Sequence, residues 1–87
     1  MGNYRITFKK SVAKDLKFLP KSDVIKIVAK IDTLAEDPRR VGAIKLSGNE
    51  LYRIRQGLYR IVYEIKDHEL IILVIKVGHR SDVYKRT

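Results

Sequence analysis

Arg53, Arg55, Arg60, Lys76 and Arg80 carry most of what this sequence says about chemistry. The first three stand in LYRIRQGLYRIVYEI, residues 51–65, where Tyr52-Arg53-Ile54 returns as Tyr59-Arg60-Ile61 around Gln56-Gly57. A guanidinium is planar, permanently charged and matched to two phosphate oxygens at once. Gathered on one surface, such cations suit the binding of an anion and the neutralisation of charge that develops on a phosphate. Other chemistries lack their residues. The chain has no Cys, which removes thiolate nucleophiles, thiolate zinc sites and disulfides. His68 and His79 are its only histidines, with no Asp/Glu cluster near the cations, so no metal is expected. Neither a Walker sequence nor GxGxxG is present, and no cofactor is expected. Ser81, His79 and Asp82 are too close along the chain to converge as a triad. What remains is metal-free phosphate chemistry, in which RNA supplies its own nucleophile, the ribose 2′-hydroxyl.

For these cations to act together, the chain must bring them to one face. Residues 3–8 alternate as a strand, with Tyr4, Ile6 and Phe8 on one side and Arg5 and Thr7 on the other. Residues 9–19 place Val12, Ala13, Leu16 and Leu19 at helical spacing, with Ser11 as a candidate cap and Pro20 as the stop. A second helix is predicted from a Ser22 cap to about Glu36, its stripe formed by Val24, Ile27 or Val28, Ile31 and Leu34 or Ala35. The short link between them makes an antiparallel helical hairpin. Residues 39–50 read as a connector, followed by strands at about 51–56, 58–66 and 69–78. Gln56-Gly57 and Asp67-His68 supply the turns of an antiparallel meander. The last nine residues read as a polar extension or helical turn.

The expected fold is therefore α+β, in the order β-α-α-β-β-β. The α-hairpin packs on one face of a small, mainly antiparallel, twisted sheet, and residues 1–87 form a single domain. Alternation then sorts the side chains. Tyr52, Ile54, Tyr59, Ile61, Tyr63 and Ile65 must meet the helices, and Arg53, Arg55 and Arg60 must face away. The strand at 69–78 is apolar on both faces, as a central strand would be. With Lys76 and Arg80 added, the open face holds five cations against Glu64, with Tyr84 near its edge. A wet sheet face coated with basic side chains is the plainer alternative. Mutual repulsion among five cations favours a bound anion.

Composition agrees. Of 87 residues, 19 are Lys or Arg and 10 Asp or Glu, a net charge of +9, which favours nucleic acid, an anionic surface or an acidic protein. The longest apolar run, LIILVI at 70–75, is far short of the ~20 residues of a spanning helix, so no membrane association is expected. The stretch MGNYRITFKK has no apolar region of a secretory signal. A cytoplasmic location is the expectation.

The element order, the KDLKFLP helix end, the AEDP stop, the LYRIRQGLYRIVYEI hairpin and the closing VGHRSDVYKR together resemble the RelE/ParE superfamily of bacterial and archaeal toxins, most closely its RelE branch. The resemblance implies a ribosome-dependent endoribonuclease that cuts mRNA in the A site. Attack by the 2′-hydroxyl leaves a cyclic phosphate and a free 5′-hydroxyl. It also implies a RelB-like antitoxin, in a heterodimer or heterotetramer that reaches operator DNA through the antitoxin. Family catalytic positions fall on Arg53, Arg55, Arg60, Arg80 and Tyr84, and Lys76 and Lys45 are expected to contact RNA.

In well-known relatives the pair at 53 and 55 is lysine, with one lysine proposed as general base. Arginine holds its proton to a pKa above about 12, so here the pair binds and polarises instead. His79 is a candidate acid or base, with an ordinary pKa of ~6.5, although alternation points it away from Arg80. Tyr84 is a candidate acid, base or stacking platform, or packs the tail onto the sheet. Two other readings keep the fold: a ParE-like inhibitor of DNA gyrase, and a catalytically weak module that binds RNA or the antitoxin.

Overall fold

The computed structural model describes residues 3–46 and 50–79. Arg80 and Tyr84, expected in the site, lie outside the described residues. Strand β1 (Arg5–Phe8) leads into helices α1 (Lys10–Lys17) and α2 (Lys21–Leu34). Strands β2 (Ile44–Lys45), β3 (Leu51–Gln56) and β4 (Tyr59–Lys66) follow, then a 3-10 turn (Asp67–Glu69) and β5 (Ile71–His79). The sheet order is β1-β5-β4-β3-β2. β1 runs parallel to β5 and every other pair is antiparallel. The α+β class and mainly antiparallel sheet expected from the sequence are those of the structure.

The local signals hold, with boundaries adjusted. Both helices begin before the serines expected to cap them. Lys9 and Pro20 occupy the cap positions without a side-chain hydrogen bond. Backbone groups do the work instead: the Pro20 carbonyl accepts from the Asp23 and Val24 amides at 3.0 and 3.1 Å. Asp23 places a carboxylate in the first turn of α2, where the helix dipole favours it. Val12 of α1 and Ile27, Ile31 and Leu34 of α2 are buried. They meet Tyr52, Ile54, Ile61, Tyr63, Ile65, Ile72, Val74 and Val77 from the sheet in one core. Burying each aliphatic side chain contributes ~1.5–3 kcal/mol. The β3–β4 hairpin turns at Gly57, whose φ of +60° favours a residue without Cβ. Leu58 therefore belongs to the turn, not to the strand expected from 58.

Three further features depart from expectation. The connector at 39–50 contains β2, which pairs Ile44 with Arg53 and Lys45 with Tyr52, and two residues show no periodicity to read. β5 starts at Ile71 rather than 69, because the 3-10 turn ends with Leu70 in the left-handed region at φ 55°. The third departure sets the site. β4 and β5 slip register between Val62 and Tyr63: Tyr63 opposes Val74, but Val62 opposes Lys76. Ile75 is the extra residue of a β-bulge, which inverts alternation along the bulged strand. Ile72 and Val74 consequently face the core on one side of the bulge and Val77 on the other. Unbroken alternation would put Lys76 on the face of Ile72 and Val74; the bulge separates them. β5 is flanked by β1 and β4, the central position its apolar character indicated.

Candidate functional site

Alternation in the β3–β4 hairpin delivers the arginines as expected. Tyr52 and Ile54 are buried while Arg53 is half-buried and Arg55 exposed, and Ile61 and Tyr63 are buried beneath half-buried Arg60. Register puts Arg55 directly opposite Arg60, a like-charge cross-strand pair that destabilises a sheet on its own account. β2 covers β3 only as far as Arg53. Beyond its end the sheet edge opens into a cleft of about 430 Å³, lined by Lys30, Val41, Gly42, Ile44, Arg53, Ile54, Arg55 and Arg60. The described residues of this lining include four cations and no carboxylate. Lys30 was not legible from strand parity. It comes from α2, adjoining buried Ile31, and joins the arginines because the cleft lies at the edge between helix and sheet.

The remaining expected residues lie elsewhere. Lys76 shares the open face with Val62, but its ammonium lies 3.4 Å from Asp15 of α1 at the margin of β5. The other oxygen of Asp15 accepts from the Val77 amide at 3.4 Å. β1 ends its pairing at Val74, and Asp15 takes over the β5 edge beyond it, so this carboxylate escaped a strand-by-strand reading. Lys45 pairs with Glu50 at 3.2 Å and does not line the cleft. In a two-residue strand, Ile44 takes the side of Arg53 and Lys45 the other. His79 opposes Tyr59, on the side away from Arg60, with the rings edge to face at 6.1 Å. The Tyr59 hydroxyl donates to Asp23 at 2.7 Å, which pushes the phenol pKa up. Glu64 opposes Leu51 and Leu73 and lines a separate hollow with Glu50, Asp67 and Glu69, not the cleft.

Arg39 fastens the connector that walls the cleft. It donates through Nη1 and Nη2 to the two oxygens of Asp67 at 3.3 and 2.9 Å, and through Nη2 to Glu50. Its Nε donates to the Tyr52 hydroxyl at 3.0 Å. The Tyr4 hydroxyl donates to Asp67 at 2.6 Å. Hydrogen bonds from Arg39 and then Tyr4 hold the Asp67 carboxyl down at about 2. Those from Arg39 and Lys45 hold Glu50 below the usual carboxylate range. One residue before Arg39, the Pro38 carbonyl accepts from the buried Tyr63 hydroxyl at 2.7 Å. Arg39 and Tyr63 together tie the segment leading to Val41, Gly42 and Ile44 to the core. The cleft so formed can hold a polyanion, orient it through guanidinium forks and stabilise added negative charge.

Comparison with known proteins gives a consistent picture. Residues 6–84 match the family model of the ParE toxin of the type II toxin–antitoxin system parDE. The chain is 31% identical over 87 residues to toxin RelG of Mycobacterium tuberculosis, covering 95% of this chain and 98% of that one. The archaeal RelE–RelB complex of Pyrococcus horikoshii superposes with a TM-score of 0.81 at 32% identity, over 90% of this chain and 96% of its counterpart. The isolated RelE toxin of Escherichia coli gives a TM-score of 0.77 at 30% identity, over 95% and 93% of the two chains.

Proposed function

This chain belongs to the RelE/ParE superfamily, as a toxin of a type II toxin–antitoxin system, and from that premise we propose that it is a ribosome-dependent endoribonuclease that cleaves mRNA in the A site. The observation that carries this reading is the cleft in which Lys30, Arg53, Arg55 and Arg60 meet with no carboxylate among the described lining residues. Arg55 and Arg60 stand directly opposite each other, an arrangement that a bound phosphate relieves.

In the proposed reaction the ribose 2′-oxygen attacks the adjacent phosphorus and the bond from phosphorus to the 5′-oxygen breaks. The 2′-hydroxyl gives up a proton and the departing 5′-oxygen takes one, leaving a cyclic phosphate and a 5′-hydroxyl. No metal is needed for this exchange. Arg53, Arg55 and Arg60 orient the phosphate and stabilise its pentacoordinate form. Arginine at 53 and 55 leaves proton transfer to other groups, since a guanidinium does not ionise near neutral pH. Arg80 and Tyr84 are proposed to complete the site, and Lys76 to bind RNA along the open face.

A RelB-like antitoxin is the proposed partner, in a heterodimer or heterotetramer that reaches operator DNA through the antitoxin, in the cytoplasm. Relatives solved as RelE–RelB complexes support it. The test is cleavage on programmed ribosomes. Wild-type protein is expected to cut mRNA in the A site, and Arg60→Ala to lose on the order of 10²-fold in rate, the typical loss of one transition-state donor. Intact mRNA with wild-type protein overturns the proposal. The match to the ParE model supports a second reading, inhibition of DNA gyrase. A parallel supercoiling reaction that stops while mRNA stays whole selects it.

A further inference from the structure

The cleft has a side that the arginines do not explain. We propose that the uncovered edge of β3 seats one nucleobase of single-stranded RNA beside the phosphate that the arginines hold; this deepens the ribonuclease reading and rests on it.

Two observations meet here. The first is apolar. Val41 is 97% exposed and Ile44 51% exposed, and both line the same cleft as the cations. Gly42, at φ +96°, makes the turn between them. Aliphatic groups lining the same cleft as the guanidinium groups put an apolar surface next to a charged one, which suits a nucleotide, whose base is apolar on its faces and whose phosphates are anionic. The volume of about 430 Å³ lies within the range of small-ligand sites and suits one nucleoside with its flanking phosphates.

The second observation is polar. The Leu46 amide donates to the Leu51 carbonyl, and the Ile65 amide to the Glu50 carbonyl. Even-numbered residues of β3 therefore turn their backbone groups to β4, and odd-numbered residues to β2. Arg55 is odd, and β2 stops pairing at Arg53. The Arg55 amide and carbonyl consequently face the uncovered edge as one donor and one acceptor, enough to engage the edge of a single base. They are too few for an added peptide strand, since strands ordinarily pair over ~5–6 residues. That contrast, with four cations in the lining, favours RNA over a protein strand at this edge.

The test uses isotope-labelled full-length protein titrated with a trinucleotide whose first two 2′-hydroxyls are replaced by hydrogen, so that neither phosphodiester bond has a nucleophile and binding proceeds without cleavage. Amide signals of Val41, Gly42, Ile44 and Arg55 are expected to shift and saturate together. In the double variant Val41→Ser, Ile44→Ser, Kd is expected to rise about tenfold, the effect of losing two aliphatic contacts. An abasic trinucleotide is expected to shift Arg53 and Arg60 while leaving Val41 and Ile44 unmoved. Equal Kd for base-bearing and abasic probes, or for variant and wild type, overturns the base seat. So does saturable binding of an acidic peptide at these amides where the trinucleotide produces no shift. On programmed ribosomes the double variant is expected to raise KM about tenfold with kcat within twofold. If wild-type protein leaves mRNA intact, the ribonuclease reading fails by itself, and the titration still decides the base seat.

Discussion

Tyr63→Phe removes one oxygen from the centre of the molecule and tests how the core holds the cleft. Tyr63 is fully buried, and its ring stacks on Tyr52 with centroids 5.9 Å apart. Phenylalanine keeps that ring, so the loss is confined to the hydroxyl that donates to the Pro38 carbonyl at 2.7 Å. Burial raises the phenol pKa well above its usual value, so the hydroxyl stays protonated and a donor. A hydrogen bond of this kind contributes about 1 kcal/mol net, and a buried carbonyl left without its donor costs ~1–3 kcal/mol. The expected destabilisation is about 2 kcal/mol. With a urea m-value of about 1–1.5 kcal/mol/M for a chain this small, the midpoint should fall by about 1–2 M with m unchanged. Tyr59→Phe is the control: its hydroxyl bonds Asp23 from a half-exposed position, and its loss should cost under about 1 kcal/mol. Because Pro38 precedes Arg39 and the Val41–Ile44 wall, amide hydrogen exchange in the connector should also quicken in Tyr63→Phe. A midpoint within 0.3 M of wild type, or loss equal to that of Tyr59→Phe, would refute the idea that this bond anchors the connector; 0.3 M is roughly 0.4 kcal/mol at that slope.

Further outcomes follow from other parts of the structure. Asp67 has its pKa lowered in the fold, to about 2, and Glu50 is lowered in the same direction, so each stabilises the fold above its unfolded pKa. That contribution should disappear as pH falls from about 4 toward 2, and thermal melts of Arg39→Ala should show a flatter acid limb than wild type over that window. Gly57→Ala puts a Cβ into open space but at φ +60°, so strain alone should cost about 1 kcal/mol, read as a lower melting temperature with unchanged far-ultraviolet dichroism. Deleting Ile75 removes the bulge while keeping Val74 opposite Tyr63 and Lys76 opposite Val62. It should leave a folded protein weakened by no more than about 2 kcal/mol, whereas deleting Leu73 should abolish the cooperative transition because it reverses the faces of one half of β5.

Much of the site is legible in the sequence alone. Tyr52, Ile54, Ile61 and Tyr63 go inward and Arg53, Arg55 and Arg60 outward because side chains of a strand alternate with a period of two, a local rule that needs only the strand's existence. The two helices, their buried stripe and the Gly57 turn follow from equally local signals. Tertiary structure decided what depends on partners distant in sequence. β2 exists because Ile44 and Lys45 find the edge of β3, and two residues carry no pattern of their own. The bulge at Ile75 is set by β4 against β5, and it puts Lys76 on the open face while Ile72 and Val74 stay in the core. Asp15 claims Lys76 from a helix sixty-one residues earlier, and Lys30 enters the cleft from the other helix. Alternation along one strand cannot foresee such meetings, because they are fixed by how helices and sheet close over a shared core, and that closure turned a row of arginines into a cleft.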